Sequence, residues 1–112
     1  MSGGGFTMIP NEFLDHMGHF TGAEIKILLF IYRKTKGFHK ESAEISFSQF
    51  QGDKESGTGT GLSPQGISNT LSKLESKEVV KIDKSGVTNE YSINTTQLSL
   101  VLNSVEGNHS NE

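Results

Sequence analysis

Hydrophobic positions recur at helical intervals along two long stretches of the chain and alternate along a third. In FTGAEIKILLFIYRKTKG, Ile25, Leu28, Leu29 and Tyr32 line one face while Ile27, Phe30 and Ile31 widen it, predicting a helix buried on most sides. Thr21 and Glu24 form a capping box, Phe20 and Ile25 a hydrophobic staple, and Gly37 a left-handed stop. The second stretch, LSPQGISNTLSKLESK, is far poorer in apolar residues. Ile67, Leu71 and Leu74 make one stripe, Ser63 is the N-cap, Pro64 the first helical residue, and Leu62 with Ile67 the staple. In EVVKIDKSGVTNEYSI, Val80 and Ile82 alternate on one strand and Tyr91 and Ile93 on the next. Asp83, Lys84, Ser85, Gly86 and Asn89 supply the turn chemistry between them.

Shorter segments fill in around these. IPNEFLDHM predicts a short first helix started by Pro10, with Phe13, Leu14 and Met17 at i, i+1 and i+4. EISFSQFQ repeats the capping logic with Ser46 and Gln49, and the staple with Ile45 and Phe50. It reads as a short strand over 43–46 that pairs with the hairpin, then a short helix over 47–51. GDKESGTGTG is a long, flexible, Gly-rich connection, whereas a helix-turn-helix uses a turn of about three or four residues. Thr95 or Thr96 caps a last segment in which Leu98, Val101 and Leu102 share a face, closing the core or meeting a second copy. The expected organisation is a flexible lead-in over 1–8, a domain over 9–94, a C-terminal helix over 95–103, and a disordered tail or linker start over 104–112. Its class is mainly α with a small β-hairpin, a winged helix-turn-helix.

The polar side of the second helix carries the candidate chemistry. Gln65, Ser68, Asn69, Ser72, Lys73 and Ser76 are short hydrogen-bonding groups with one cation and no acid. Small hydroxyls and amides let a helix backbone come close to a DNA major groove, where Asn and Gln pair with base edges. Such a face is also compatible with simple solvation; the adjoining hairpin is what favours the groove. Its tip over 84–89 lies beside the helix, and Lys81 and Lys84 can neutralise phosphates, partly offset by Glu78, Asp83 and Glu90. Arg33, Lys34, Lys36, His39 and Lys40 end the long helix with no acid between Glu24 and Glu41. The macrodipole favours some of these cations, and the surplus reads as a phosphate-contacting shoulder or a solvated basic end.

Composition narrows the classes. A chain of 112 residues that is 32% hydrophobic supports one core. Ten Lys and Arg against 13 Asp and Glu give a net charge of −3, so binding a polyanion depends on where the charges sit. There is no cysteine, which removes disulfides and thiolate metal sites. No apolar run approaches the roughly 18 residues of a membrane span, and no signal peptide is evident, so the expected setting is cytoplasmic. The His16 and His19 pair, even with Asp15 adjacent, lacks a third ligand at suitable metal spacing, GTGTG lacks the GK[ST] ending of a phosphate loop, and no nucleophile and base stand at motif spacing. The expectation is a binding protein that is not an enzyme and needs no cofactor.

Taken together, IPNEFLD, FTGAEIKILLFIYRKTKGFHK, ISFSQF and GLSPQGISNTLSKLESKEVVKI resemble the N-terminal DNA-binding domain of phage replication proteins of the replication protein O type. The most specific piece is RKTKGFHK after the long helix. The resemblance implies a winged-helix fold, binding of double-stranded origin DNA, often as a homodimer, and recruitment of a replicative helicase or its loader through a region absent from this chain. By position it assigns Ser63, Gln65, Ser68, Asn69 and Lys73 to the recognition helix and residues 84–89, with Lys84, Ser85 and Asn89, to the wing. Two departures stand out: no Arg near Pro64 and Gln65, and a long preceding turn. Alternative readings are a dimeric winged-helix transcription regulator and a protein-interaction winged helix that binds no nucleic acid.

Overall fold

Local capping decides where most helices begin. The computed structural model describes residues 6–109, with side chains described as far as Asn103. α1 (Asn11–Asp15) starts one residue later than expected, because Pro10 keeps an extended ψ of 136° and stands outside as the cap. It buries Phe13, ends at His16, and passes into a 3-10 turn over Met17–His19. α2 (Gly22–Thr35) carries both halves of the predicted capping box. The Thr21 N–H donates to Glu24 Oε1 at 2.8 Å and the Glu24 N–H donates to Thr21 Oγ1 at 3.1 Å.

Two expectations for α2 need correction. Its deepest positions are Glu24, Ile27, Leu28, Ile31, Tyr32 and Thr35, whereas Ile25 and Leu29, placed on the central face by periodicity, are half-buried. The stripe is turned because α2 packs on both α4 and the sheet, so its buried arc is centred between the two neighbours. Gly37 is not the left-handed stop. The helix tightens into a 3-10 turn over Lys36–Phe38, and the left-handed residue is His39, with φ 59°. A Cβ at 37 would lie 2.9 Å from the tips of the Arg33 and Thr7 side chains, both of which can move aside.

β1 (Ala43–Glu44) leads into α3 (Phe47–Gln51), which opens on the predicted Ser46 and Gln49 capping box. After the glycine-rich connection come α4 (Pro64–Ser76), β2 (Val80–Asp83), β3 (Glu90–Ile93) and α5 (Thr95–His109). The helix α5 continues past the predicted end at 103, into the stretch expected to be a disordered tail or linker; 110–112 and 1–5 lie outside the described residues. The strands form one antiparallel sheet in the order β1-β3-β2. Val80 faces Ile93 and Ile82 faces Tyr91, the register the alternation calls for. On its other side β3 pairs Tyr91 with Ala43, so the short strand does join the hairpin. Phe50 ties α3 to this sheet, its ring meeting Tyr91 edge-on at 5.1 Å. The result is mainly α with a small antiparallel sheet, in a winged-helix-like arrangement.

The glycine-rich connection is not the loose tether that its composition suggests. Thr60 is buried, and both its N–H and its Oγ1 donate to the Phe50 carbonyl, at 2.8 and 2.7 Å. The Gly61 N–H donates to the Gln51 carbonyl at 3.3 Å. These bonds bring the two ends of the loop together, and the crossing is made by Gly52 and Gly59: a Cβ on Gly59 would sit 2.5 Å from the Gly52 Cα. Residues 53–58 are thereby pinched off as a closed excursion, with the Gly57 N–H donating to the Asp53 carbonyl and the Asp53 N–H to Thr58 Oγ1. What separates α3 from α4 on the core side is Thr60, Gly61, Leu62 and Ser63. That restores the short turn of a helix-turn-helix despite the long sequence.

Candidate nucleic-acid interface

α4 is fixed at both ends and along one side, which leaves the opposite side to solvent. Ser63 Oγ accepts from the Gly66 N–H at 3.1 Å and Pro64 opens the first turn. Ile67, Leu71 and Leu74, with Thr70, are buried against the core. At the C-terminal end the Val79 N–H reaches the Leu74 carbonyl and the Glu78 N–H that of Glu75, a Schellman closure that puts Glu78 in the left-handed region at φ 64°. Lys77 then crosses to the start of α2, donating to Glu24 Oε2 at 3.0 Å with its ammonium over the Phe20 ring. Burial pushes the Glu24 carboxyl up. The Thr21 N–H, the Lys77 ammonium and the charge on Lys73 outweigh it and hold the group below its ordinary value.

Ser63, Gln65, Ser68, Asn69, Ser72, Lys73 and Ser76 are all exposed on this helix. Gln65 Nε2 donates to Asn69 Oδ1 at 3.0 Å across one turn, and Ser76 folds its hydroxyl back to the Lys73 carbonyl. The hairpin tip adjoins the far end of the same helix, where Lys84 Nζ stands 4.0 Å from Glu75 Oε1. Asp83 accepts from both the N–H and the hydroxyl of Ser85, which shapes the tip and keeps that carboxyl below its usual range. Asn89 is half-buried, its side chain directed to the Tyr91 hydroxyl and its carbonyl accepting from the Ile45 N–H.

The basic residues after α2 do not converge on one surface. Arg33 stacks on Phe38 and shares a hollow with Lys26, Leu29 and the loop residues Gly57, Gly59 and Thr60. Lys34 and Lys40 line a second hollow with Gln49 and Glu90. Lys36 lines a third with Met8, Pro10 and Tyr32, and lies 3.8 Å from Glu41. Lys81 sits beside Ser92 on the sheet face opposite Val80 and Ile82. The fold thus gathers the α4 residues and Lys84 on one side and spreads the remaining cations around the molecule.

Some contributors were not visible in the sequence. Lys26 joins Arg33 beside the closed loop, and its position two turns before Arg33 on the same helix was the available signal. Val87 projects fully from the hairpin tip, near the exposed Phe47 at the start of α3. Lys77 is consumed by Glu24, a long-range pairing that spacing does not reveal. His19 is also engaged, its Nε2 lying 3.1 Å from the Leu102 carbonyl. Among the described residues no group of three or more His, Cys, Asp and Glu is placed to hold a metal, and no helix is long and apolar enough to cross a membrane.

Fold and surface together define a small, mainly helical module that presents one polar helix face beside a β-hairpin. The model of the bacteriophage replication protein O family matches residues 3–98, and the chain belongs to that family. No curated protein and no solved structure matches it.

Proposed function

We propose that this chain is the double-stranded DNA-binding module of a phage replication initiator, holding origin DNA through α4 and the β2–β3 tip. The observation that carries the reading is the bare side of α4, where Gln65, Ser68, Asn69, Ser72 and Lys73 are uncovered by the protein's own chain. A buried stripe fixes the helix from behind, so these side chains are presented at a fixed angle, as groove reading requires. Lys73 and Lys84 contact phosphate, while Gln65, Ser68 and Asn69 meet base edges; Arg33 and Lys26 stand apart beside the closed loop. Lys34, Lys36, Lys40 and Lys81 face other surfaces and add only to the long-range field. The module acts by binding in the cytoplasm and performs no catalysis, and no cofactor enters the reading.

Duplex binding followed by anisotropy at two salt concentrations tests this. Lys84→Ala is expected to weaken all sequences alike and shallow the salt dependence by about one unit, whereas Asn69→Ala relaxes base preference with little change in slope. An affinity that ignores salt would instead identify a protein-interaction module.

A further inference from the structure

The hydrogen bond between Gln65 and Asn69 does more than brace one turn of helix: it fixes what the pair has left to offer. Nε2 of Gln65 donates to Oδ1 of Asn69 at 3.0 Å, and both side chains are exposed. Each amide has one group committed to its neighbour. The Gln65 carbonyl oxygen and the Asn69 NH2 stay wholly uncommitted, while the bonded Gln65 NH2 keeps one N–H and the bonded Asn69 oxygen one lone pair. Turning both amides over exchanges the residues' roles but again leaves one acceptor and one donor. The pair therefore behaves as a single unit with a donor and an acceptor side by side.

Resting on the DNA-binding reading above, we infer that Gln65 and Asn69 act together as one adenine-reading unit in the major groove. Adenine presents N7 as acceptor and its N6 amino group as donor, the complement of that unit. Guanine presents two acceptors, N7 and O6, and so leaves the free Gln65 carbonyl oxygen without a donor. Cytosine and thymine each present a single polar group on that edge. Position on the helix agrees: both residues lie in the N-terminal half of α4, the part of a recognition helix that meets base edges. The surroundings leave room for approach, since Gly66 and the small side chains of Ser63 and Ser68 flank the pair. Coupling also spares the entropy of fixing two free amides on binding.

The experiment is selection from a pool of duplexes with a randomised core, performed with the full chain, with Gln65→Ala, with Asn69→Ala and with the double variant. The wild-type chain is expected to enrich an adenine at one fixed position. Both single variants lose preference at that same position, by about ten-fold or more, and the double variant loses no more than either alone. Replacing that base by 7-deazaadenine, which lacks the N7 acceptor, lowers wild-type affinity by a similar factor and leaves both variants unaffected. If the variants relax two different positions, or if guanine is enriched, the coupled adenine unit is wrong while DNA binding stands. If the wild-type chain retains no duplex from the pool even at low salt, the inference and the DNA-binding reading fall together. Circular dichroism of each variant guards against loss of fold, which exposed substitutions here are not expected to cause.

Discussion

Glu24 joins the beginning of α2 to the end of α4 and so sets the angle at which α4 is held, which makes Glu24→Ala an informative perturbation. The carboxylate is 2% exposed, accepts from the Thr21 N–H at 2.8 Å, and receives the Lys77 ammonium at 3.0 Å. Hydrogen bonds to a charged group are worth about 1.5–3 kcal/mol, and breaking a fully buried ion pair costs about 3–5 kcal/mol. Lys77 is 39% exposed and regains water when its partner is removed, so the larger figure does not apply. A net loss of about 2 kcal/mol is expected, which for a domain of this size lowers Tm by about 8 °C.

Acid provides the sharper assay. The folded carboxyl titrates below its ordinary value of 4.5, so its contribution is complete above that pH and is lost as pH falls through the lower, folded value. Urea unfolding of wild type and Glu24→Gln, which keeps the shape and discards the charge, should therefore differ at neutral pH and converge on acidification. A difference that persists unchanged at pH about 3, or a Glu24→Ala chain that melts within about 2 °C of wild type, would refute the assigned role.

Two further substitutions probe backbone geometry by urea unfolding. Gly59→Ala places a Cβ 2.5 Å from the Gly52 Cα at φ +74°, whereas Gly61→Ala at φ +77° meets nothing within 4 Å. Gly61→Ala should cost about 1 kcal/mol and Gly59→Ala at least twice that; equal costs would argue that the loop is not pinched. Glu78→Gly, at φ 64° after α4, is expected to raise stability by about 1 kcal/mol, and a loss would contradict the left-handed closure.

The readable parts of this fold were those settled over a few residues. The Thr21 and Glu24 box, the Ser46 and Gln49 box and the Ser63 and Pro64 start are each local arrangements, and each is where the spacing places it. The left-handed positions were not legible. His39 and Glu78 accept that conformation because neighbouring elements dictate where the chain must go, while Gly37 does not adopt it. The loop misled for a related reason: its glycines look like flexibility in composition, yet Gly52 and Gly59 permit a close backbone crossing that only the folded chain creates. At the candidate interface, helical periodicity was enough to find the bare face of α4. It was not enough for the cations after α2, whose surroundings separate Arg33, Lys34 and Lys36 into different hollows.

The most direct measurement is a backbone amide chemical-shift map of the chain with and without a mixed-sequence duplex. Responses should centre on Ser63, Gln65, Ser68, Asn69, Ser72 and Lys73 and on the 84–89 tip, with α1 and α5 nearly silent. Shifts that gather instead on α1 and α5, or that leave the exposed side of α4 unchanged at saturating duplex, would contradict the account.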